Sequence, residues 1–333
     1  MSIKKVILIT GSSGEIGKNL IDYFSQMDSN YILSLDLNPI DNPKKVNKHI
    51  VGSILDKKLM DDIYQEHKID EVYHLAAMLS TKAEQSPITA NEVNVNGTLN
   101  LIDLCIRQIH RNKSKIKFFF PSSIAVYGLD KKENHPISEN QNLNPKTIYG
   151  INKLYCEKLG NYFSQNNYLS KSDSDNHFFD FRAIRFPGLI SVNTMPTGGT
   201  SDYLPEMLHS AAQKNNYECF VDANSQLPFM VMPDAIQAII KLMTCEKNNL
   251  TQSTYNISSF NPSVDDFYFE VKKYYTNFKI SYNINKERQK MVNGWPSDID
   301  TSKSFSDWLW SPKYNLEKSF SDYFIPQLEK IYK

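Results

Sequence analysis

Val6-Ile7-Leu8-Ile9-Thr10-Gly11-Ser12-Ser13-Gly14-Glu15-Ile16-Gly17-Lys18-Asn19-Leu20-Ile21-Asp22-Tyr23-Phe24 decides the fold of this chain. An aliphatic run, a glycine-rich turn and an amphipathic helical pattern follow one another without a break. The turn has GxxGxxG spacing. A Cβ at Gly11 or Gly14 would obstruct the turn or a ligand resting on it, and Gly17 lets the helix pack closely on the strand. Backbone N–H groups gathered at the start of such a helix suit a pyrophosphate. A second strand pattern, Tyr31-Ile32-Leu33-Ser34-Leu35, ends in Asp36, roughly 20 residues on, where a carboxylate can hold the hydroxyls of an adenosine ribose. Together these signals point to a bound dinucleotide. Asp36 would repel a 2′-phosphate, so the cofactor expected is NAD rather than NADP.

Working outward, apolar runs of strand length alternate with helical patterns as far as residue 190. Strands are expected over 6–10, 31–36, 71–75, 115–120 and 178–185. Helices are expected over 15–27, 56–67, 89–109, 147–163 and 233–244. That alternation predicts an α/β chain with a Rossmann-type, doubly wound parallel sheet and helices on both faces. Ligands then lie outside the carboxyl ends of the strands. Beyond residue 190 the alternation weakens. Ser263-Val264-Asp265-Asp266 reads as a helix start with a capping-box pattern, Asp standing for the usual Glu. Residues 279–284 read as a strand, and Trp295, Trp308 and Trp310 fall near the end. A smaller α+β C-terminal lobe accounts for this part. The expected division is 1–190 for an NAD-binding domain and 191–333 for a mainly substrate-binding lobe, with room for the segments to interleave. The polar, aperiodic stretch 164–176 reads as an exposed loop with no assigned role.

Composition narrows the class. The chain has 333 residues, 41% of them hydrophobic, enough for a real core. Lys+Arg and Asp+Glu number 37 each, so the formal net charge is zero and nothing favours nucleic acid or an anionic membrane surface. Cys105, Cys156, Cys219 and Cys245 are widely spaced and read as reduced thiols. No apolar run approaches a membrane span. The first strand begins directly after Met1-Ser2-Ile3-Lys4-Lys5, leaving no room for a targeting segment, so the expected location is the cytoplasm. Seven His and four Cys form no ligand pattern, and no metal site is expected.

Chemistry enters with Tyr149-Gly150-Ile151-Asn152-Lys153, a YxxxK pair whose two side chains lie on one helical face. A lysine ammonium there can lower the phenol pKa, which a tyrosine base needs. Tyr64/Lys68 and Tyr268/Lys272 match the same pattern, so spacing alone does not choose. Context does. The strand pattern over 115–120 runs into Pro121-Ser122-Ser123-Ile124-Ala125-Val126-Tyr127-Gly128. Ser123 therefore falls at a strand's carboxyl end, where its hydroxyl can hold a substrate oxygen while the phenolate works. A turn or helix cap is the alternative role for Ser122 and Ser123.

The motifs in sequence resemble those of the extended short-chain dehydrogenase/reductases. GxxGxxG, the Asp after strand 2, His74-Leu75-Ala76-Ala77, Asn94-Val95-Asn96-Gly97-Thr98, SSxxVYG and YxxxK appear in the family's order. Members are NAD(P)-dependent epimerases, dehydratases and dehydrogenases, usually dimers. The resemblance implies Ser123, Tyr149 and Lys153 as the catalytic triad. It implies NAD contacts at Gly11, Gly14, Glu15, Ile16, Gly17, Asp36, Ser53, Ile54, Leu75, Ala76, Ala77, Tyr149, Lys153 and Leu189. Many relatives carry Asp where Ser53 stands. A homodimer through helices 89–109 and 147–163 is implied too.

The C-terminal half bears on substrate. Nucleotide-sugar epimerases usually carry Arg-Tyr-Phe-Asn after the catalytic helix, whereas Arg185-Phe186-Pro187-Gly188 stands here without the Asn. The acidic pair of sugar dehydratases is replaced by Ile124-Ala125. Met195-Pro196-Thr197-Gly198-Gly199-Thr200-Ser201-Asp202-Tyr203, Ala77-Met78-Leu79-Ser80 and Gly294-Trp295-Pro296 resemble the short-chain family of L-threonine 3-dehydrogenases, with Thr197 and Ser201 as departures. That resemblance implies L-threonine as the small-molecule substrate, met by Ser80, Ser123, Tyr149, Gly199, Thr200 and Trp295. Gly198-Gly199-Thr200-Ser201 before a helix can present N–H groups and hydroxyls to a carboxylate. An ordinary turn with Thr200 as the helix N-cap is the plainer alternative. Two other functions stay open: a nucleotide-sugar epimerase or dehydratase, and a non-catalytic NAD-binding protein.

Overall fold

The structure, a computed structural model, describes residues 4–130, 133, 135–165, 178–196 and 198–333. Thr197 and most of the polar loop predicted over 164–176 lie outside the described residues. In chain order the first elements are β1 (Lys5–Thr10), α1 (Glu15–Phe24), β2 (Asn30–Asp36), β3 (Lys48–Val51), α2 (Lys57–Glu66), β4 (Glu71–His74), α3 (Ser80–Gln85), α4 (Pro87–Asn91), α5 (Gly97–Asn112) and β5 (Ile116–Ser123). Next come α6 (Ile148–Gln165), β6 (Phe179–Phe186), β7 (Gly188–Ile190), α7 (Tyr203–Ala212), β8 (Tyr217–Cys219), β9 (Phe229–Val231), α8 (Met232–Thr244) and β10 (Thr254–Asn256). The last are α9 (Val264–Tyr274), β11 (Ile280–Tyr282), α10 (Lys286–Asn293), α11 (Ser302–Trp308), α12 (Leu316–Ser319) and α13 (Ile325–Ile331).

Seven strands form the main sheet in the order β10-β6-β5-β4-β1-β2-β3. From β3 through β5 every pairing is parallel. This is the Rossmann-type α/β fold that the alternation predicts. Register places Thr10 opposite Leu35 on β2 and opposite His74 on β4. The carboxyl ends of three strands are thus level, and the residues that follow them emerge side by side. All four residues of β4 are buried, because helices cover both faces of a parallel sheet and leave no polar side. α1 buries Gly17, Leu20, Ile21 and Phe24, an i, i+3, i+4, i+7 stripe.

The chain divides into two compact units that interleave along the sequence. Unit 1 takes residues 1–122, 151–184 and 242–254, and unit 2 takes 123–150, 185–241 and 255–333. The core of unit 1 gathers Leu8, Leu33, Val72, Leu101, Ile102, Phe118 and Phe181 around the sheet. Unit 2 has two small parallel pairs, β7 with β9 and β8 with β11. Its interior holds Tyr203, Phe229, Phe267 and Phe320. Ser263 and Asp266 cap α9 reciprocally, as the sequence pattern predicts.

Some expectations change in detail. The helix expected over 89–109 is α4 and α5 joined by a π-helical turn, Glu92–Asn96. Strand β3 and the three-residue strands β7 to β10 have no counterpart in the sequence reading. All four cysteines are free thiols, three of them buried. Among the described residues no helix is long and apolar enough to cross a membrane.

Candidate active site

The nucleotide end lies in unit 1, where β1, β2 and β4 finish. Gly11 has φ of +66°, and a Cβ there would stand 2.6 Å from the Ala76 backbone nitrogen. Only glycine allows the turn to pass so close to the end of β4. Gly14 is the exposed N-cap of α1 and offers no side-chain cap to the helix's first N–H groups. Glu15 and Ile16 begin that helix and Gly17 is buried in its first turn. Ser12 Oγ is buried without a hydrogen-bond partner among the described residues. Asp36, at the end of β2, accepts from the backbone N–H groups of Ser13 and Asn38, both at 2.9 Å. The acid thus stands beside the glycine turn. A helix start without a side-chain cap, an orphaned buried hydroxyl and an acid at the neighbouring strand end fit a dinucleotide.

The remaining predicted cofactor residues of unit 1 border the same strand ends. Ser53 Oγ accepts from Leu55 N at 3.1 Å, which leaves its proton free to be donated. Ile54 is buried, and its carbonyl accepts from Asn100. Leu75, Ala76 and Ala77 follow β4 and are partly exposed. Behind them runs a chain of hydrogen bonds: Thr10 Oγ1 lies 2.8 Å from His74 Nδ1, and His74 Nε2 lies 2.8 Å from Thr98 Oγ1. Thr98 donates to the Asn94 carbonyl at 2.6 Å, so its oxygen accepts from Nε2–H, and Nδ1 accepts from Thr10. Burial, with the charge of Lys153, lowers the His74 pKa to about 3 and keeps the ring neutral. The motifs around His74 and Asn94 therefore brace the site.

Lys153 is buried in unit 1. Its ammonium donates to the Pro121 carbonyl at 2.6 Å and stands 4.5 Å from the centroid of the Phe120 ring. Burial lowers its pKa to about 8, with Cys156 and Glu157 acting in the opposite direction. Ser80 opens α3 in the same unit and is partly exposed.

Ser123 and Tyr149 meet in unit 2. Ser123 Oγ accepts from Ala125 N at 3.2 Å and hydrogen-bonds the Tyr149 side chain. Burial pushes the Tyr149 phenol well above the usual tyrosine range, and the bond to Ser123 offsets part of that. Gly150 explains how they come together: a Cβ there would run into the Ala125 carbonyl, so only glycine lets the start of α6 press on the turn after Ser123. Thr147 Oγ1 caps this end by accepting from Gly150 N at 3.1 Å. Beneath it, Arg185 donates to the Tyr127 hydroxyl at 2.8 Å, and Tyr127 donates to Asn256 at 2.7 Å. Tyr149 and Lys153 are one turn apart on α6. The other two YxxxK matches differ. Lys68 lies beyond the end of α2, and the Tyr64 ring lies under Arg107 and Arg111. Tyr268 donates to the Phe278 carbonyl.

Further along unit 2, Gly198 (φ +88°) and Gly199 lead into α7. Gly199 N donates to the Asp202 carboxylate at 2.6 Å. Asp202, not Thr200, is the N-cap of α7. Thr200 is buried, with Oγ1 3.6 Å from Met291 Sδ. Trp295 is buried just after α10, and Leu189 sits in β7 opposite Met230. Sequence reasoning missed Arg288 of α10, which donates to the Gly199 carbonyl at 2.6 Å. It stands in the polar run Lys286-Glu287-Arg288-Gln289-Lys290. The available signal was its spacing of three and four from Met291 and Val292, which puts it on the helix's inward face.

The sequence profile of the NAD dependent epimerase/dehydratase family matches residues 7–258. An uncharacterized epimerase/dehydratase of Staphylococcus haemolyticus is 33% identical over 314 residues, 93% of each chain. A solved monomeric L-threonine 3-dehydrogenase from a metagenome is 35% identical, with a TM-score of 0.86 over 98% of this chain and 100% of that one. A solved L-threonine dehydrogenase of Clostridium difficile is 29% identical, with a TM-score of 0.87 over the whole of both chains.

Proposed function

We propose that this chain, which belongs to the NAD dependent epimerase/dehydratase family, is an NAD-dependent L-threonine 3-dehydrogenase. It oxidises the side-chain hydroxyl of L-threonine and yields 2-amino-3-oxobutanoate. The observation that carries this reading is the likeness to solved L-threonine 3-dehydrogenases across 98% of the chain. The absence of Asn after Arg185-Phe186 agrees with it, since that side chain serves nucleotide-sugar substrates in the resembling epimerases.

In this reading Gly11, Gly14, Gly17 and the start of α1 hold the pyrophosphate, and Asp36 takes the adenosine ribose hydroxyls. Ser53, Ile54, Leu75, Ala76, Ala77 and Leu189 border the cofactor. NAD, when bound, supplies the acceptor for the hydride on the carbon that bears the hydroxyl. Tyr149 Oη, as phenolate, takes the hydroxyl proton, and Ser123 Oγ holds the same oxygen in place. Burial disfavours the phenolate. The Ser123 hydroxyl offsets part of that cost, and in this reading the Lys153 ammonium, one helical turn on along α6, supplies positive charge to the phenolate. Gly199, Thr200 and Ser80 meet the amino acid's backbone groups, and Trp295 excludes water.

The test is NADH formation with L-threonine, against L-allo-threonine, L-serine and UDP-glucose, with NAD and NADP in parallel. Turnover that requires threonine and NAD supports the assignment. Turnover with the sugar nucleotide in its place sinks it.

A further inference from the structure

Arg288 is held in an unusual setting for a guanidinium. Its Nη2 donates to the Gly199 carbonyl at 2.6 Å, and its central carbon stands 3.5 Å from the centroid of the Phe220 ring. Nε is buried and has no hydrogen-bond partner among the described residues. No carboxylate among them lies within ion-pair distance of it. Glu206 feels the charge of Arg288 without an ion pair between them, and both it and Asp202 have hydrogen-bond partners of their own. Asp202 accepts from Gly199 N at 2.6 Å, and Glu206 accepts from the Tyr217 hydroxyl at 2.8 Å. Arginine offers five N–H donors in a planar fork matched to a carboxylate, and a buried donor left without an acceptor is costly. Asn285 fixes the residue in place by capping α10, its side chain accepting from Glu287 N and Arg288 N at 3.1 and 3.0 Å.

We propose that Arg288 is the receptor for the carboxylate of the substrate and so sets the enzyme's preference for an amino acid over an amino alcohol. The substrate's identity rests on the reading given above, while the receptor itself rests on the unpartnered buried Nε of a guanidinium held beside Gly199. An aromatic platform on one face and a carbonyl on Nη2 leave Nε–H as a donor that a carboxylate oxygen can take. The neighbouring buried Thr200 supplies a hydroxyl on the same loop.

The experiment compares L-threonine with L-threoninol, in which CH₂OH replaces the carboxylate. In R288Q the ratio of kcat/KM for threonine over threoninol should fall roughly tenfold to a hundredfold, the range for losing a hydrogen-bonded charge partner. R288K, which keeps the charge and loses the fork, should fall between the two. An unchanged ratio, with both substrates declining together, would make Arg288 a brace for Gly199 and overturn the proposal. Should the wild type oxidise neither compound, the dehydrogenase reading fails separately. Calorimetry with L-2-aminobutyrate, which carries the carboxylate without the reacting hydroxyl, then decides. Binding weakened roughly tenfold in R288Q sustains the receptor, and equal or absent binding in wild type and variant refutes it.

Discussion

The Lys153 ammonium donates to the carbonyl of Pro121 at 2.6 Å. Burying this cation costs stability, and Cys156 and Glu157 offset part of the cost. Its pKa is lowered to about 8, mainly by burial. Between about 8 and the ordinary lysine value the unfolded chain binds the proton and the folded chain does not, so this group's contribution to stability rises with pH across that window. Below it the burden is fully present, on the order of 3 kcal/mol. Lys153→Met should therefore fold with a Tm at or above the wild type near neutral pH, while losing turnover. The wild type should gain on the variant as pH climbs from about 8 to about 10. Urea unfolding of both proteins across that range checks the sign.

Tyr149→Phe removes the proposed base and leaves the ring. Turnover should drop by about 10³-fold or more, with NADH binding by fluorescence within about twofold of wild type. Ser123→Ala leaves the base but takes away its hydrogen-bond partner, and kcat should fall roughly ten- to hundredfold. Threonine oxidation that survives in Tyr149→Phe would assign the base elsewhere.

Gly150 tests how the two proposed catalytic side chains, Ser123 and Tyr149, are brought together. A methyl group at this position meets the Ala125 carbonyl, part of the turn that Ser123 caps. Gly150→Ala should destabilise by about 1–3 kcal/mol through overpacking. It should also lower kcat by more than Ser123→Ala does, because it displaces Tyr149 and the turn together. A variant equal to wild type in both respects would mean that α6 retreats without consequence for the pair.

Why these residues were legible, and others not, follows from the physics of each signal. The glycine turn, Asp36 and the strand ends reveal themselves locally: β1 carries the unbroken apolar run Val6-Ile7-Leu8-Ile9, and α1 shows its apolar stripe within ten residues. The π turn at Glu92–Asn96 is invisible because one extra residue barely shifts the apolar phase of a long helix. Strand β3, Lys-His-Ile-Val at the sheet edge, is partly exposed throughout and shows no alternation. The three-residue strands of unit 2 are too short for any period, and their pairings join distant segments, Gly188 with Phe229 and Tyr217 with Ile280. Arg288 was hidden by charged neighbours. Its role lies in a carbonyl 89 residues away, which no local pattern encodes.

In the proposed reading Asp36 governs the choice of cofactor. Its carboxylate is held next to the glycine turn by Ser13 N and Asn38 N. A 2′-phosphate would bring like charge against it. The wild type should prefer NAD over NADP in kcat/KM, and Asp36→Ala should shrink that preference at least about tenfold, largely through a lower KM for NADP. Equal use of both cofactors by the wild type would remove Asp36 from the ribose site.

Ile151, Tyr155 and Tyr162 leave 48%, 50% and 44% of their surfaces exposed along α6, at spacings of four and seven that put them on one face. Such a stripe on a long helix suits contact with a second copy of this chain, since isolated exposed apolar residues are common but an aligned set is not. Light scattering after size exclusion should report a dimer. I151E together with Y155E should shift it to monomer at micromolar concentration, while NADH binding persists. A related solved threonine dehydrogenase is described as monomeric. A monomeric wild type here would give the stripe a different task, and the double variant would then leave the elution volume unchanged.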